Sequence, residues 1–276
     1  MNQAFIGIIC TLQLINISLY GQKIYFKPEL KPNKIYWTTI EDETTTNVTY
    51  SGNKDFLEKL KEQGITTPII LKKKSMTKSK MQTFDLQKNK RFRMKSEILE
   101  VTSSTDSSGV NPMEGVIIYG TGTKNIQIMI DSITGTSNEE LKSLLSKGME
   151  QLTQQNIFPD KKLKPGESFE KMTPVIFPIS SDKSISMELI NTYRLDSITN
   201  ELAYFNIDQK IRMDLSIKDQ DLEVHGTGSG KIVYDLAIKN NRLYETRLEF
   251  SFVMNIKDIS ISFSSVTFSK TTTKVE

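Results

Sequence analysis

Along most of this chain apolar and polar residues alternate with a period of two, the mark of half-buried β-strands. From Arg91 to Leu99, Phe92, Met94 and Ile98 alternate with Arg91, Arg93, Lys95 and Glu97. Ile35 and Trp37 share one face of Lys34–Thr39, and Ile126, Ile128 and Ile130 share one face of Asn125–Asp131. The same reading predicts strands over Met187–Leu195, Ala203–Asp208, Ile211–Ile217, Lys231–Lys239, Leu243–Ile256 and Ile259–Phe268. Polar turns separate them at Thr105–Gly109, Lys218–Asp221 and Asn240-Asn241. Strand following strand through short turns favours antiparallel hairpins over βαβ crossovers.

Two segments carry helical spacing instead. Asp55–Gln63 places Phe56, Leu57 and Leu60 on one side, with Gly64 as the residue that ends the helix. The stronger segment is 138–154, where Leu141, Leu144, Leu145, Met149 and Leu152 form one stripe. Ser137 followed by Glu140 has capping-box spacing. An apolar stripe needs a surface to cover, and the inner face of the sheet is the obvious one. The expected fold is α+β and mostly β: a large twisted antiparallel sheet with one or two helices on its concave face. The Gly-Thr-Gly-Thr at 120–123 and Gly-Thr-Gly-Ser at 226–229 suggest a duplicated β unit. Its halves would be 22–135 and 160–276, joined by the helix at 138–154.

The first 21 residues carry no charged side chain and are mostly apolar from Phe5 to Leu19. This stretch is shorter than the roughly 20 residues of a spanning helix and has the length of a signal peptide. Cleavage after Gly21 leaves a single mature domain, 22–276, without a membrane span. Its expected location is the periplasm, the cell envelope or the outside of the cell. The lone Cys10 would leave with the leader, so the mature chain would hold no cysteine.

Between the helix and the later strands runs Phe158-Pro159-Asp160-Lys161-Lys162-Leu163-Lys164-Pro165-Gly166-Glu167-Ser168-Phe169. Pro165-Gly166 suits the centre of a type II turn. Pro174 and Pro178 restrict the next segment to an edge strand. The helix, this Pro…Gly-Glu-Ser-Phe connector and the β region after it resemble a family of bacterial secreted proteins of unknown function, found mainly in the Bacteroidetes group. Members often carry Pro…Gly-Asp-Ser-Trp, where Glu167 and Phe169 stand here. The resemblance implies export and a β-rich fold, and it implies no activity or site.

Composition narrows the chemistry. One His (His225) and one Cys rule out zinc sites built from several such ligands, and no metal or cofactor is expected. His225 would have to be the base of any triad, and no nucleophile elbow accompanies it. Gly226–Lys231 fails the phosphate-loop pattern, because His225 and Ile232 occupy its defining positions. A bulged strand segment is the reading for it. Glu41, Asp42 and Glu43 are read as a solvated loop, and Glu139 and Glu140 as complements to a helix N-terminus. No catalytic residue is assigned. The net charge of +3 is too small to imply nucleic acid. Basic residues nevertheless crowd one region: Lys72, Lys73, Lys74, Lys88, Lys90, Arg91, Arg93 and Lys95. If two adjacent strands share them, they form a basic face for an anionic envelope partner.

These readings lead to an exported, non-enzymatic carrier for an apolar or amphiphilic ligand, such as a lipid. Its cavity would be lined by Leu141, Leu144, Leu145 and Met149. The alternative is a structural module, or one that engages protein or glycan, acting through the basic face.

Overall fold

The computed structural model describes residues 23–104, 111–155, 161–178, 184–213, 222–256 and 258–276. The expected signal peptide and the turns predicted at Thr105–Gly109 and Lys218–Asp221 lie outside these residues. The chain begins with β1 (Ile24–Tyr25), β2 (Ile35–Gly52), α1 (Lys54–Glu62), β3 (Ile69–Leu86), β4 (Arg91–Ser103), β5 (Ile117–Thr123) and β6 (Ile128–Thr134). After α2 (Glu139–Gln155) come β7 (Lys162–Leu163), β8 (Ser168–Pro178), β9 (Ser184–Thr199), β10 (Leu202–Met213), β11 (Leu222–Asp235), β12 (Asn240–Ile256) and β13 (Ile259–Val275). The fold is mostly β, as the alternation predicts.

One antiparallel sheet of 11 strands holds everything except the small β1–β7 pair, in the order β6-β5-β4-β3-β2-β13-β12-β11-β10-β9-β8. The chain enters at the centre with β2 and zigzags outward to the β6 edge. It then crosses through α2 to the opposite edge at β8 and zigzags back to the centre. The β2 and β13 strands therefore pair with each other, in continuous register from Tyr36↔Val275 to Gly52↔Ile259. As its prolines require, β8 is an edge strand.

The strands at the centre are longer than the alternation suggests. The sequence reading ends the first one at Thr39 and places Glu41, Asp42 and Glu43 in a loop. These residues instead lie in the middle of an 18-residue strand, paired with β3 on one side and β13 on the other. Hydrophobic alternation fades over Thr38–Thr49, yet β-branched threonines favour the extended backbone and both neighbours complete its ladder. The Gly226–Gly230 segment is likewise a regular part of β11. Thr227–Gly230 pair on both sides and Gly226 pairs with Phe250 of β12, without the expected bulge, and the register shifts only at Val233/Tyr234.

The sheet is strongly curled at one end. The backbone N–H of Glu29 bonds to the Lys239 carbonyl at 2.8 Å, and the next N–H, of Leu30, bonds to the Lys124 carbonyl at 3.0 Å. Adjacent amides hold those carbonyls within about 10 Å of each other. Lys124 lies in the β5–β6 turn and Lys239 in the β11–β12 turn, six strand intervals apart. In a flat sheet that separation is about 29 Å. Curling around residues 24–30 brings the turns together, and Phe26 fills the closed end against Phe205, Tyr234, Phe169 and Tyr193.

Both helices lie near the sequence-derived positions, and each is capped by an asparagine. Asn53 Oδ1 accepts from the Phe56 N–H, and Asn138 Oδ1 accepts from the Leu141 N–H, both at 3.0 Å. The cap of α2 is therefore Asn138, one residue beyond the Ser137 that the capping-box spacing suggests. Gly64 follows α1 with φ 76°. The turn at Pro165-Gly166 is type II, with Gly166 at φ 89° and the Glu167 N–H bonded to the Lys164 carbonyl at 3.0 Å.

Candidate binding face

Strand register sorts the side chains onto two faces. All four buried clusters belong to one of them, here called the inner face. Near the closed end of β9–β11 lie Tyr193, Leu195, Phe205, Ile207, Ile232 and Tyr234. Further along the same strands toward the open end lie Met187, Ile211 and Val224, with Phe252 and Met254 of β12 and Phe263 of β13. Tyr36, Phe92, Met81 and Val275 form a third cluster. The fourth joins Ile98, Val116 and Ile118 to Ile130 and Ile133, with Leu141 and Leu145 of α2 against them.

Between these clusters the inner face changes character. On β2, Tyr36 is followed inward by Thr38, Ile40, Asp42, Thr44 and Thr46, before Val48 and Tyr50 restore apolar character. On β13 the matching run is Thr273, Thr271, Ser269, Thr267 and Ser265, then Phe263 and Ile261. On β3 it is Ser79, Thr77 and Ser75, then Lys73, Leu71 and Ile69. A belt of hydroxyls therefore crosses the three central strands, with apolar bands above and below it. Thr44 and Thr267 hydroxyls lie 3.3 Å apart across the strands, and so do those of Thr46 and Ser265. The inner positions of the belt on β2 and β13 are half-buried, so neither helix covers them fully.

The belt continues into the C-terminal half as a polar row. Thr267 stands opposite Leu248, and Leu248 opposite Gly228. Gly228 stands opposite Gln209, Gln209 opposite Asn191, and Asn191 opposite Lys171. Gln209 and Asn191 are buried, each 5% exposed, and the Gln209 amide donates to Asn191 Oδ1 at 2.7 Å. The other end of that amide, Gln209 Oε1, is buried without a hydrogen-bond partner. It lies over Gly228, where an added Cβ would be 2.7 Å from it. Glycine at 228 thus leaves the space that the glutamine side chain occupies on its way toward the centre of the sheet. In β5, Gly122 lies under Phe92 of the preceding strand in the same manner.

Charge is scarce on this face. Among the described residues of the sheet outside its bulges, the charged inner side chains are Asp42, Lys73 and Lys171. Asp42 sits between Ser75 and Ser269 and has no ion-pair partner among the described residues. Burial lowers the Lys171 pKa.

The sequence-derived residues are distributed unevenly. Leu141 and Leu145 pack into the fourth cluster, and Met149 is half-buried. Leu144 points away and is 66% exposed. Because α2 packs against β6 at the edge, its leucines meet the sheet rim and lie away from the central belt. The basic residues are spread widely. Lys72, Lys73 and Lys74 start β3, whereas Lys88, Lys90, Arg91, Arg93 and Lys95 gather around the β3–β4 turn, about 40 Å away along the strand. Lys73 faces inward, and acids from neighbouring strands interleave the outward lysines. Lys74 pairs with Glu43 at 3.0 Å and Lys78 with Glu100 at 2.8 Å. Counting charge along the sequence misses these cross-strand partners. His225 is exposed on the outer face, opposite Ser251.

The belt escaped the sequence reading, although Thr38–Thr49 and Ser260–Thr273 are visibly rich in Ser and Thr. Only the pairing of β2 with β13 places those two runs side by side. Among the described residues no group of His, Cys, Asp and Glu side chains is arranged to hold a metal ion, and no helix is long and apolar enough to cross a membrane. Compared with models of known protein families and with curated proteins, the chain matches none.

Proposed function

We propose that this protein is an exported, non-enzymatic binding protein that carries an amphiphilic molecule on the inner face of its curled sheet. One observation carries the reading: a half-buried hydroxyl belt lies between apolar bands on the same surface. A packed core has no use for such a belt, because each hydroxyl removed from water needs a partner. A ligand with an apolar body and a polar group matches both parts of the surface. The apolar body would lie against Phe252, Phe263 and Ile261, and its polar group on the Thr44–Thr267 level.

The test is native mass spectrometry of residues 22–276 exported from a bacterial host and never denatured. An adduct of amphiphile mass that disappears on organic extraction is the expected result. A bare protein mass, with no uptake of an added dodecyl-chain detergent below its micelle concentration, would overturn the reading.

A further inference from the structure

We propose that the tip of the β3–β4 hairpin, at the closed end of the sheet, docks on the surface of an anionic lipid bilayer. This docking does not require that the inner face carry a ligand, so the two stand or fall separately. The tip extends past its neighbour on one side. Pairing of β3 with β2 ends at Ile35↔Gln82, and the next residue, Thr83, ties the hairpin down by donating to the Lys31 carbonyl at 2.6 Å. Beyond that tie β3 runs on to Leu86. The turn is closed by the Gln87 N–H on the Arg91 carbonyl at 2.7 Å and the Lys90 N–H on the Gln87 carbonyl at 3.0 Å.

Charge is concentrated here. Residues 84–93 include four bases, Lys88, Lys90, Arg91 and Arg93, and one acid, Asp85, so this hairpin tip alone carries a net charge of +3, equal to that of the whole chain. Lys88, Lys90 and Arg93 have no ion-pair partner among the described residues, unlike the lysines that face acids across β3. The Asp85 carboxylate accepts from Asn33 Nδ2 at 2.8 Å. In the adjacent β5–β6 turn Lys124 is 65% exposed, whereas its partner Glu29 is 9% exposed, so solvent meets the cation of that pair.

Apolar side chains share the tip. Phe84 is 40% exposed and Leu86 57%. The Arg91 guanidinium lies against the sulfur of Met129 on β6, which is 54% exposed. A soluble polyanion answers the cations alone. An anionic bilayer answers both sets, because apolar side chains enter the boundary between head groups and acyl chains while ammonium and guanidinium groups meet the phosphates. Each base held near such a surface is worth about fivefold in affinity, and the attraction fades within a Debye length.

Binding of residues 22–276 to vesicles is measured by sedimentation. Vesicles of phosphatidylcholine with one third phosphatidylglycerol should bind at least about tenfold more tightly than phosphatidylcholine alone, and the margin should shrink as salt rises. Lys88→Gln with Lys90→Gln should weaken binding to the anionic vesicles by about tenfold or more. Lys59→Gln with Lys61→Gln removes the same charge from α1, at the opposite end of β2, and should change binding less than about twofold. Phe84→Ser with Leu86→Ser keeps every charge; it should weaken vesicle binding by about tenfold and leave binding to dextran sulfate unchanged. Residues 22–276 hold no cysteine, so Gln87→Cys takes a single polarity-sensitive dye at the tip, and its emission should shift to the blue on anionic vesicles. Melting curves establish that each variant is folded. Equal binding to both vesicle types, an unshifted dye on bound protein, or equal losses from the tip and helix pairs would overturn the proposal. Dextran sulfate bound as tightly as the vesicles, with no loss of vesicle binding in the Phe84 and Leu86 double variant, would assign the tip to a soluble polyanion and overturn it as well.

Discussion

Glu29 and Lys239, 210 residues apart, are joined twice: the Glu29 backbone N–H bonds to the Lys239 carbonyl at 2.8 Å, and its carboxylate meets the Lys239 ammonium at 3.4 Å. The same carboxylate meets Lys124 at 3.3 Å, from the other half of the sheet. Its side chain is 9% exposed, whereas the two lysines are 47% and 65% exposed. A short segment near the start of the described chain thus clasps two distant turns and closes one end of the curled sheet.

The asymmetry of that clasp gives the first prediction. Glu29→Gln removes the charge and leaves two lysines that water still reaches, so thermal unfolding should show a loss of only about 1 kcal/mol. Lys124→Met with Lys239→Met leaves a buried carboxylate without a cation, and the loss should be larger, about 3 kcal/mol. Equal losses in the two variants would show that the carboxylate is not confined as described.

Glycines on the inner face should behave oppositely to the one in α2. A Cβ at Gly228 would lie 2.6 Å from the Arg247 carbonyl oxygen and 2.7 Å from Gln209 Oε1. Gly228→Ala should therefore destabilise the fold by about 1–3 kcal/mol. At Gly148 nothing lies within 4 Å. Gly148→Ala should stabilise by about 0.5–1 kcal/mol through helix propensity alone. Denaturant unfolding of both variants checks the pair.

Helix α2 depends on Asn138, whose side chain satisfies the Leu141 N–H. Asn138→Ala should cost about 1 kcal/mol, while Ser137→Ala should change little. Faster amide exchange at Leu141 in the first variant alone would confirm the assignment.

Alkaline titration reports on the closed end. Burial raises the pKa of Tyr36, Tyr193, Tyr234 and Tyr244, and Tyr193 and Tyr244 also share a hydrogen bond. The unfolded chain releases these protons near the ordinary value of about 10, while the folded chain keeps them. Stability should therefore hold up to that pH and fall above it. Absorbance at alkaline pH should show these tyrosines ionising together with unfolding. Ionisation of Tyr36, Tyr193, Tyr234 and Tyr244 well before unfolding would contradict their burial.

Local alternation alone determined much of this protein. Phe92, Met94 and Ile98 fell on the core face as their spacing requires, and the Leu141–Leu145 stripe announced a helix that covers apolar surface. Pro174 and Pro178 confined their strand to an edge, and Pro165-Gly166 made its turn. These features depend on a few neighbouring residues, so a short window of sequence holds all the information they need. Only the tertiary structure decided the rest. Thr44 and Thr267 meet because the chain enters and leaves the sheet at its centre, and no local pattern encodes a pairing across 223 residues. Lys74 and Glu43 cancel because the β2–β3 register sets them opposite each other. The clasp of Glu29 on Lys124 and Lys239 requires the whole sheet to curl, and that curvature accumulates over every strand between the two turns.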